Sequence, residues 1–193
     1  DFKDRPFTTS ETTLGGIYIV RDPRNIFTSI KNHFSMNDEE AFKMLTDENR
    51  GLISDEGIFS SYTFISSWSN HYISWIKNNK FRRLIIKYED LINNTYETFR
   101  DIAVFSNTLL NITDGVNKEK LRSAIETTSF KKLKAHEIKD GLHNSVTNFK
   151  KWRNIHKENK NLFFNLGPEN NWKNKINKKI SNKIEKFFEK EMV

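Results

Sequence analysis

Cysteine is missing altogether from these 193 residues. Its absence excludes disulfides and thiolate metal sites, and it is compatible with a reducing compartment. Long apolar runs are missing too. None approaches the roughly 18–20 residues that a membrane-spanning helix needs, so no membrane span is expected. No signal-peptide pattern opens the sequence. Negative charge is in deficit: 32 Lys and Arg stand against 25 Asp and Glu, a net charge of +7. That balance favours anionic partners, such as nucleotides, sulfated or phosphorylated ligands, nucleic acid or acidic membrane surfaces, without choosing among them. The lysines are scattered, with KNKINKK near the end as the densest run, so most of them read as a solvated surface. The length suits one domain with a sizeable core.

What is present is organised around Gly15 to Phe34, GGIYIVRDPRNIFTSIKNHF. Ile17, Tyr18, Ile19 and Val20 form an unbroken apolar run, which predicts a strand covered on both faces. Asp22 suits a helix N-cap and Pro23 the first helical position, where a missing N–H does no harm. Ile26, Phe27, Ile30 and Phe34 recur at helical spacing as the core face. Asp22, Ser29 and His33 lie along a neighbouring stripe, Ser29 standing about 10 Å along the axis from Asp22. Arg21, at the carboxyl end of the strand, is long enough to reach toward that stripe. A guanidinium, a hydroxyl and a helix start near a strand end suit a phosphate. An Arg–Asp pair closing the strand–helix turn suits the same residues.

Around this unit, residues 1–14 read as a polar loop. Asp38 is expected to cap a short helix through Thr46, with Ala41, Phe42 and Leu45 inward. Residues 47–58, with two glycines, read as a loop that is either a lid or a connection. A long helix is expected from Ser60 to about Asn79, carrying Ile65, Trp68, Tyr72, Trp75 and Ile76 as its apolar stripe. His71 on that helix suits packing or a surface hydrogen bond as well as a functional role. Arg82 to Tyr88 reads as a second strand. Helices follow at about Thr95 to Phe105 and Asn117 to Thr127. Strand, helix, strand, helix predicts an α/β fold built on a parallel sheet. Near the end, Ile176, Ile180, Ile184, Phe187 and Phe188 form a last amphipathic stripe.

Several of these strings resemble one family. IYIVRDPRNIFTS is similar to the 3′-phosphate-binding motif of the sulfotransferases that use 3′-phosphoadenosine 5′-phosphosulfate (PAPS), cytosolic or bacterial in type. There an arginine and, eight residues on, a serine hold the nucleotide's 3′-phosphate, and Arg21 and Ser29 match them. SWSNHYISW resembles the family's Trp–His–Ser–Trp helix. LIIKYEDL resembles the block whose tyrosine contacts adenine, which assigns Tyr88; a strand-end tyrosine over the core fits the spacing equally. TTSFKKLK resembles the turn beside the adenine, which assigns Thr128, Ser129 and Phe130. The region 135–162, with Phe149 and Trp152 as anchors, corresponds to the segment over the acceptor pocket. In the closing loop the animal enzymes carry Arg-Lys-Gly and then Gly-Asp-Trp-Lys-Asn. Here those positions are Asn165, Leu166 and Gly167, then Asn170, Asn171, Trp172, Lys173 and Asn174, so the two cations are replaced.

The resemblance implies the P-loop-NTPase-like sulfotransferase fold over residues 1–193 as a single domain, incomplete at the N-terminus and slightly at the C-terminus. It implies sulfuryl transfer from PAPS to a hydroxyl or amine of a small-molecule or carbohydrate acceptor, with adenosine 3′,5′-bisphosphate as product, no metal, and a cytoplasmic location. The family's phosphate-loop lysine and catalytic histidine have no counterpart in residues 1–15, which contain no histidine. Both are expected upstream of Asp1, and the chain by itself is expected to be inactive. Two other readings stay open: a non-catalytic protein that binds 3′-phosphoadenosine nucleotides, and a basic nucleic-acid-binding domain. Nucleic acid is not the expected partner, because no reader motif is present.

Overall fold

The computed structural model describes residues 8–55, 60–140 and 162–192. In chain order the described elements are β1 (Gly15–Val20), α1 (Pro23–His33), α2 (Asp38–Thr46), β2 (Gly51–Asp55), β3 (Ser60–Phe64), α3 (Trp68–Ile76), β4 (Arg82–Lys87), α4 (Tyr88–Asn93), α5 (Thr95–Leu109), α6 (Lys118–Thr127), α7 (Phe130–Asp140) and α8 (Lys178–Phe187). Two 3-10 turns, Gly167–Glu169 and Trp172–Asn174, precede α8. The chain divides into two compact units, one of Asp1–Arg21 with Tyr72–Thr127 and one of Asp22–His71 with Thr128–Val193. The fold is α/β, with a parallel sheet flanked by helices.

In the first unit β1 and β4 run parallel, in register from Gly15 opposite Arg82 to Val20 opposite Lys87. Parallel neighbours require a crossover, and α1 to α3 lie in the intervening sequence. Tyr18 is buried and stacks on Trp75 of α3, with ring centroids 5.1 Å apart. Burial pushes the Tyr18 phenol up to about 12. The expectation that β1 is covered on both faces is corrected: Ile17 is 38% and Ile19 48% exposed. Side chains alternate across a strand, and among the described residues only the Tyr18 face is closed. An apolar run reports hydrophobicity, not how many layers cover it. After β4, α4 begins directly at Tyr88. The helix from Thr95 continues beyond Phe105 to Leu109. Asn117, expected inside the next helix, lies before its first residue, where its Oδ1 accepts from Lys120 N at 2.9 Å.

In the second unit α1 starts as its sequence predicts. Asp22 is the N-cap and its Oδ1 accepts from Arg24 N at 2.8 Å, with Pro23 following. Phe27 is fully buried, but Phe34 is 40% exposed rather than part of the core. It lies past the last turn, edge-on to His33. The cap of α2 is Asn37 and not Asp38. Asn37 Oδ1 accepts from Glu39 N and Glu40 N, and Glu40 Oε2 accepts from Asn37 N at 2.9 Å, a reciprocal box that Asp38 could not form. Asp38 instead stands in the first turn, where its charge favours the helix start, and pairs with Lys31. On α8, Ile180, Ile184 and Phe188 are buried, and Phe188 meets Trp68 edge-on at 5.0 Å. Phe187, expected in that stripe, is 53% exposed.

The largest departure lies between Arg50 and Trp68. Residues 47–58 were expected as a loop and Ser60 to Asn79 as one helix. Instead β2 and β3 form an antiparallel pair, with Gly51 opposite Phe64 and Asp55 opposite Ser60, and the helix covers only Trp68–Ile76. Tyr62, Thr63 and Phe64 are aromatic and β-branched, a set that favours strands. Gly51 makes room for Tyr62: a Cβ there would come within 2.2 Å of its ring. Arg50 O accepts from Ile65 N and Ser66 N, both at 2.9 Å, which closes the pair. Ser66 then adopts φ +65°, which no helix residue does, and Ser67 Oγ accepts from Asn70 N at 3.2 Å as the start of α3. Phe149 and Trp152 lie outside the described residues.

Candidate functional site

Arg21 and Tyr88 each stand one residue past the last paired residues of β1 and β4, Val20 and Lys87. They are therefore neighbours at the carboxyl ends of two parallel strands, the edge where open α/β sheets take ligands. The Arg21 guanidinium carbon lies 4.0 Å from the centre of the Tyr88 ring. The two residues assigned to phosphate and base thus share one corner of the first unit, and Arg21 takes one face of the ring. At the same turn, within the second unit, Asp22 pairs with Arg24.

Arg24 anchors the start of α1 in the second unit. Its Nε lies 3.0 Å from Asp22 Oδ1 and its Nη2 2.6 Å from Asp22 Oδ2, and its Nη1 donates to Glu185 Oε1 of α8 at 2.6 Å. The guanidinium also lies 3.9 Å over the Trp172 ring. Bonding to Asp22 above all, and to Glu185, holds its pKa above the ordinary arginine value. Next to it, Asn25 Oδ1 accepts from Trp172 N at 2.9 Å. Asn170, only 5% exposed, reaches the same helix. Its Nδ2 donates to Asn25 O and to Ser29 Oγ, each at 3.0 Å, and its Oδ1 accepts from Thr28 Oγ1 at 2.7 Å. Ser29 itself is exposed on α1. Arg21 and Ser29 belong to different units, and each is described within its own.

Of the other assigned residues of the second unit, Phe130 and Gly167 meet. Gly167 has φ +50°, and a Cβ there would come within 2.2 Å of the Phe130 ring. Glycine is thus required twice, for the left-handed backbone and for the approach of the aromatic ring. Phe130 also faces Phe164 edge-on at 6.0 Å. Lys134 Nζ donates to Asn165 O at 2.7 Å, and the Glu137 carboxylate accepts from Phe163 N and Phe164 N at 2.7 and 2.8 Å. Leu166 O accepts from Glu169 N at 3.0 Å. Helix α7 therefore carries the segment Phe163–Gly167 through two charged side chains one turn apart. Thr128 and Ser129 precede α7; Ser129 O accepts from Leu133 N at 3.0 Å, so this serine begins the helix. Lys173 lies beside Trp172, 5.9 Å from its ring, with an exposed side chain.

The first unit thus presents a guanidinium on an aromatic ring at a strand end, and the second an exposed serine hydroxyl on α1 and a phenylalanine packed on Gly167. The residues that sequence reading left without a role here are Arg24, Asn25 and Asn170. The signal available for them was the NNW string at Asn170–Trp172, whose partners on α1 lie far away in sequence. His71 is half-buried, and burial first, then the Arg50 charge, lowers its pKa from the ordinary 6.5. Among the described residues no group of three or more His, Cys, Asp or Glu is placed to hold a metal ion. Among them too, no helix is long and apolar enough to cross a membrane.

Compared with known proteins, residues 8–193 match the sulfotransferase domain. No curated protein matches the sequence. Among solved structures, mouse sulfotransferase SULT7A1 complexed with PAP is similar, with a TM-score of 0.57 and 21% identity over 91% of this chain. The chain spans 57% of the length of that structure. At this identity the likeness is one of fold.

Proposed function

Since the chain belongs to the sulfotransferase family, we propose that it serves the transfer of a sulfuryl group from PAPS to a hydroxyl or amine of a small-molecule or carbohydrate acceptor. In that reaction the acceptor oxygen or nitrogen forms a bond to sulfur as the bond from sulfur to the 5′-phosphate oxygen breaks. The acceptor proton passes to a base, and cations neutralise the charge left on the bridging oxygen. Adenosine 3′,5′-bisphosphate is the product. We read residues 1–193 as one sulfotransferase domain acting in the cytoplasm, as the cytosolic type of resemblance implies.

This chain's part is nucleotide recognition. Arg21 and Ser29 hold the 3′-phosphate. Tyr88, Thr128, Ser129 and Phe130 receive the base. Asn165, Leu166 and Gly167 form the loop beside the 3′-phosphate, where Gly167 offers a backbone N–H and Asn165 an amide. The observation that carries this reading is the Arg21 guanidinium 4.0 Å over the Tyr88 ring, at the carboxyl ends of paired parallel strands. Two residues 67 positions apart in sequence, assigned to adjacent parts of one ligand by independent motifs, are side by side. The PAP in the mouse structure fits the same ligand class.

The test is nucleotide choice by titration calorimetry. A charge-assisted contact contributes about 1.5–3 kcal/mol, so adenosine 3′,5′-bisphosphate is expected to bind at least about tenfold more tightly than AMP. Arg21→Ala should remove most of that preference and change AMP binding much less. Equal preference in both proteins would make Arg21 a structural residue.

A further inference from the structure

The carbonyl oxygen of Asn25 on α1 has more donors than it can accept. The helix assigns it the Ser29 N–H. Thr28 Oγ1 lies 2.8 Å away, Ser29 Oγ 3.1 Å and Asn170 Nδ2 3.0 Å. A carbonyl oxygen offers two lone pairs, so two of these donors must turn elsewhere. Asn170 cannot turn: were its amide reversed, Oδ1 would face the Asn25 oxygen, and two acceptors would meet. Thr28 has an alternative, because Asn170 Oδ1 lies 2.7 Å from its hydroxyl. The helix N–H and Asn170 then fill the carbonyl. The Ser29 hydroxyl hydrogen is the donor displaced. Meanwhile the second N–H of Asn170 donates to Ser29 Oγ at 3.0 Å. Asn170 is 5% exposed and fixed; Ser29 is exposed.

We propose that Asn170 is a positioning residue for phosphate recognition: its amide holds Ser29 Oγ as an acceptor and so turns the serine hydrogen outward, to donate to an oxygen of the ligand's 3′-phosphate. This rests on the nucleotide reading above. A serine at a helical position ordinarily spends its hydrogen on the carbonyl four residues back. Here that carbonyl is already occupied, and the hydroxyl is preset as a donor before any ligand arrives. Preset donors bind with less reorganisation than donors that must first give up a partner.

A double-mutant cycle between Ser29→Ala and Asn170→Ala tests the coupling, read as the affinity ratio of adenosine 3′,5′-bisphosphate to AMP in calorimetry. Each single change should lower the ratio by about fivefold, and the double change by the same factor, because both remove one hydrogen bond. AMP binding should not move. A merely structural asparagine would weaken both ligands alike. Asn170→Leu, of similar volume and without an amide, takes over the cycle should Asn170→Ala not fold, and should be equally non-additive with Ser29→Ala, since the serine hydrogen can then return to the Asn25 carbonyl. Additive losses, or an Asn170 variant with unchanged ratio, would overturn the proposal. A ratio that falls with Arg21→Ala but not with Ser29→Ala overturns this inference alone. A ratio near one in the unaltered protein overturns the nucleotide reading beneath it.

Discussion

Arg21 and Arg24 stand three residues apart around one helix start, and each lies over an aromatic ring, Tyr88 at 4.0 Å and Trp172 at 3.9 Å. Their surroundings differ. Arg24 shares its charge with two carboxylates, Asp22 and Glu185, both at 2.6 Å, and its side chain is 19% exposed. It ties the cap of α1 to α8 and covers the tryptophan of the closing segment. Arg21 stands at the end of a parallel strand, over a tyrosine that begins the next helix. The first arrangement is a clamp that holds chain segments together. The second brings a cation and a ring to the edge where this class of sheet takes its ligand. The sequence RDPR makes the two arginines look alike, and their partners give them separate work.

That contrast breaks down if the wrong property changes. Arg24→Ala should have the largest effect, because it leaves Asp22 and Glu185 without their partner. A loss of about 2 kcal/mol is expected for these partly buried pairs, a fall in Tm of about 4–8 °C by thermal melting. Arg21→Ala should lower Tm much less. An equal fall would mean that both arginines are clamps. Next in size is Arg21→Lys. A point charge cannot reproduce the guanidinium fork or lie flat on Tyr88, so only part of the preference for the bisphosphate over AMP should survive calorimetric titration. Full retention would reduce Arg21 to a source of charge.

The two rings sharpen the comparison further. Trp172→Leu should lower Tm by removing the platform under Arg24, an effect of about 1 kcal/mol. Tyr88→Leu should instead weaken AMP and the bisphosphate together, since both carry the base. A Tyr88 variant that binds both nucleotides normally would return that tyrosine to the core. The smallest effect concerns a third arginine, Arg50, whose charge reaches His71. The folded-state pKa of His71 lies below 6.5, through burial first and Arg50 second. As pH falls below about 6.5 the unfolded chain takes up the proton before the folded one, so stability drops until the folded pKa is passed. Above that window the contribution is complete. The fall in Tm from pH 7.5 to pH 5.5 should therefore be smaller in His71→Gln than in the unaltered protein. Equal falls would show that His71 titrates freely.

Much of this was legible in the sequence where the determinants are local. Asp22 and Pro23 announced the start of α1, and Thr46 ended α2 as expected. The apolar runs at Ile17–Val20 and Leu84–Ile86 lie in strands that pair in parallel. The β2–β3 pair was not legible. The helical stripe Trp68, Tyr72, Trp75 and Ile76 is real, but extending it back to Ser60 ran over β3, whose determinant is a cross-strand contact, Tyr62 against Gly51. Asn37 was passed over for Asp38 because both suit a cap; only the Glu40 side chain, returning to Asn37 N, distinguishes them.

By itself, then, the sequence determined the family and the strand–turn–helix around Arg21. Each of these depends on neighbours within a turn or two, or on motifs short enough to read directly. The tertiary structure alone decided which polar groups meet. Glu185 lies 161 residues from Arg24, and Asn170 lies 145 from Asn25 and 141 from Ser29. A hydrogen bond requires its atoms within about 3 Å and in line. Separations of that kind follow from the packing of whole helices, and residue spacing along the chain carries no record of them.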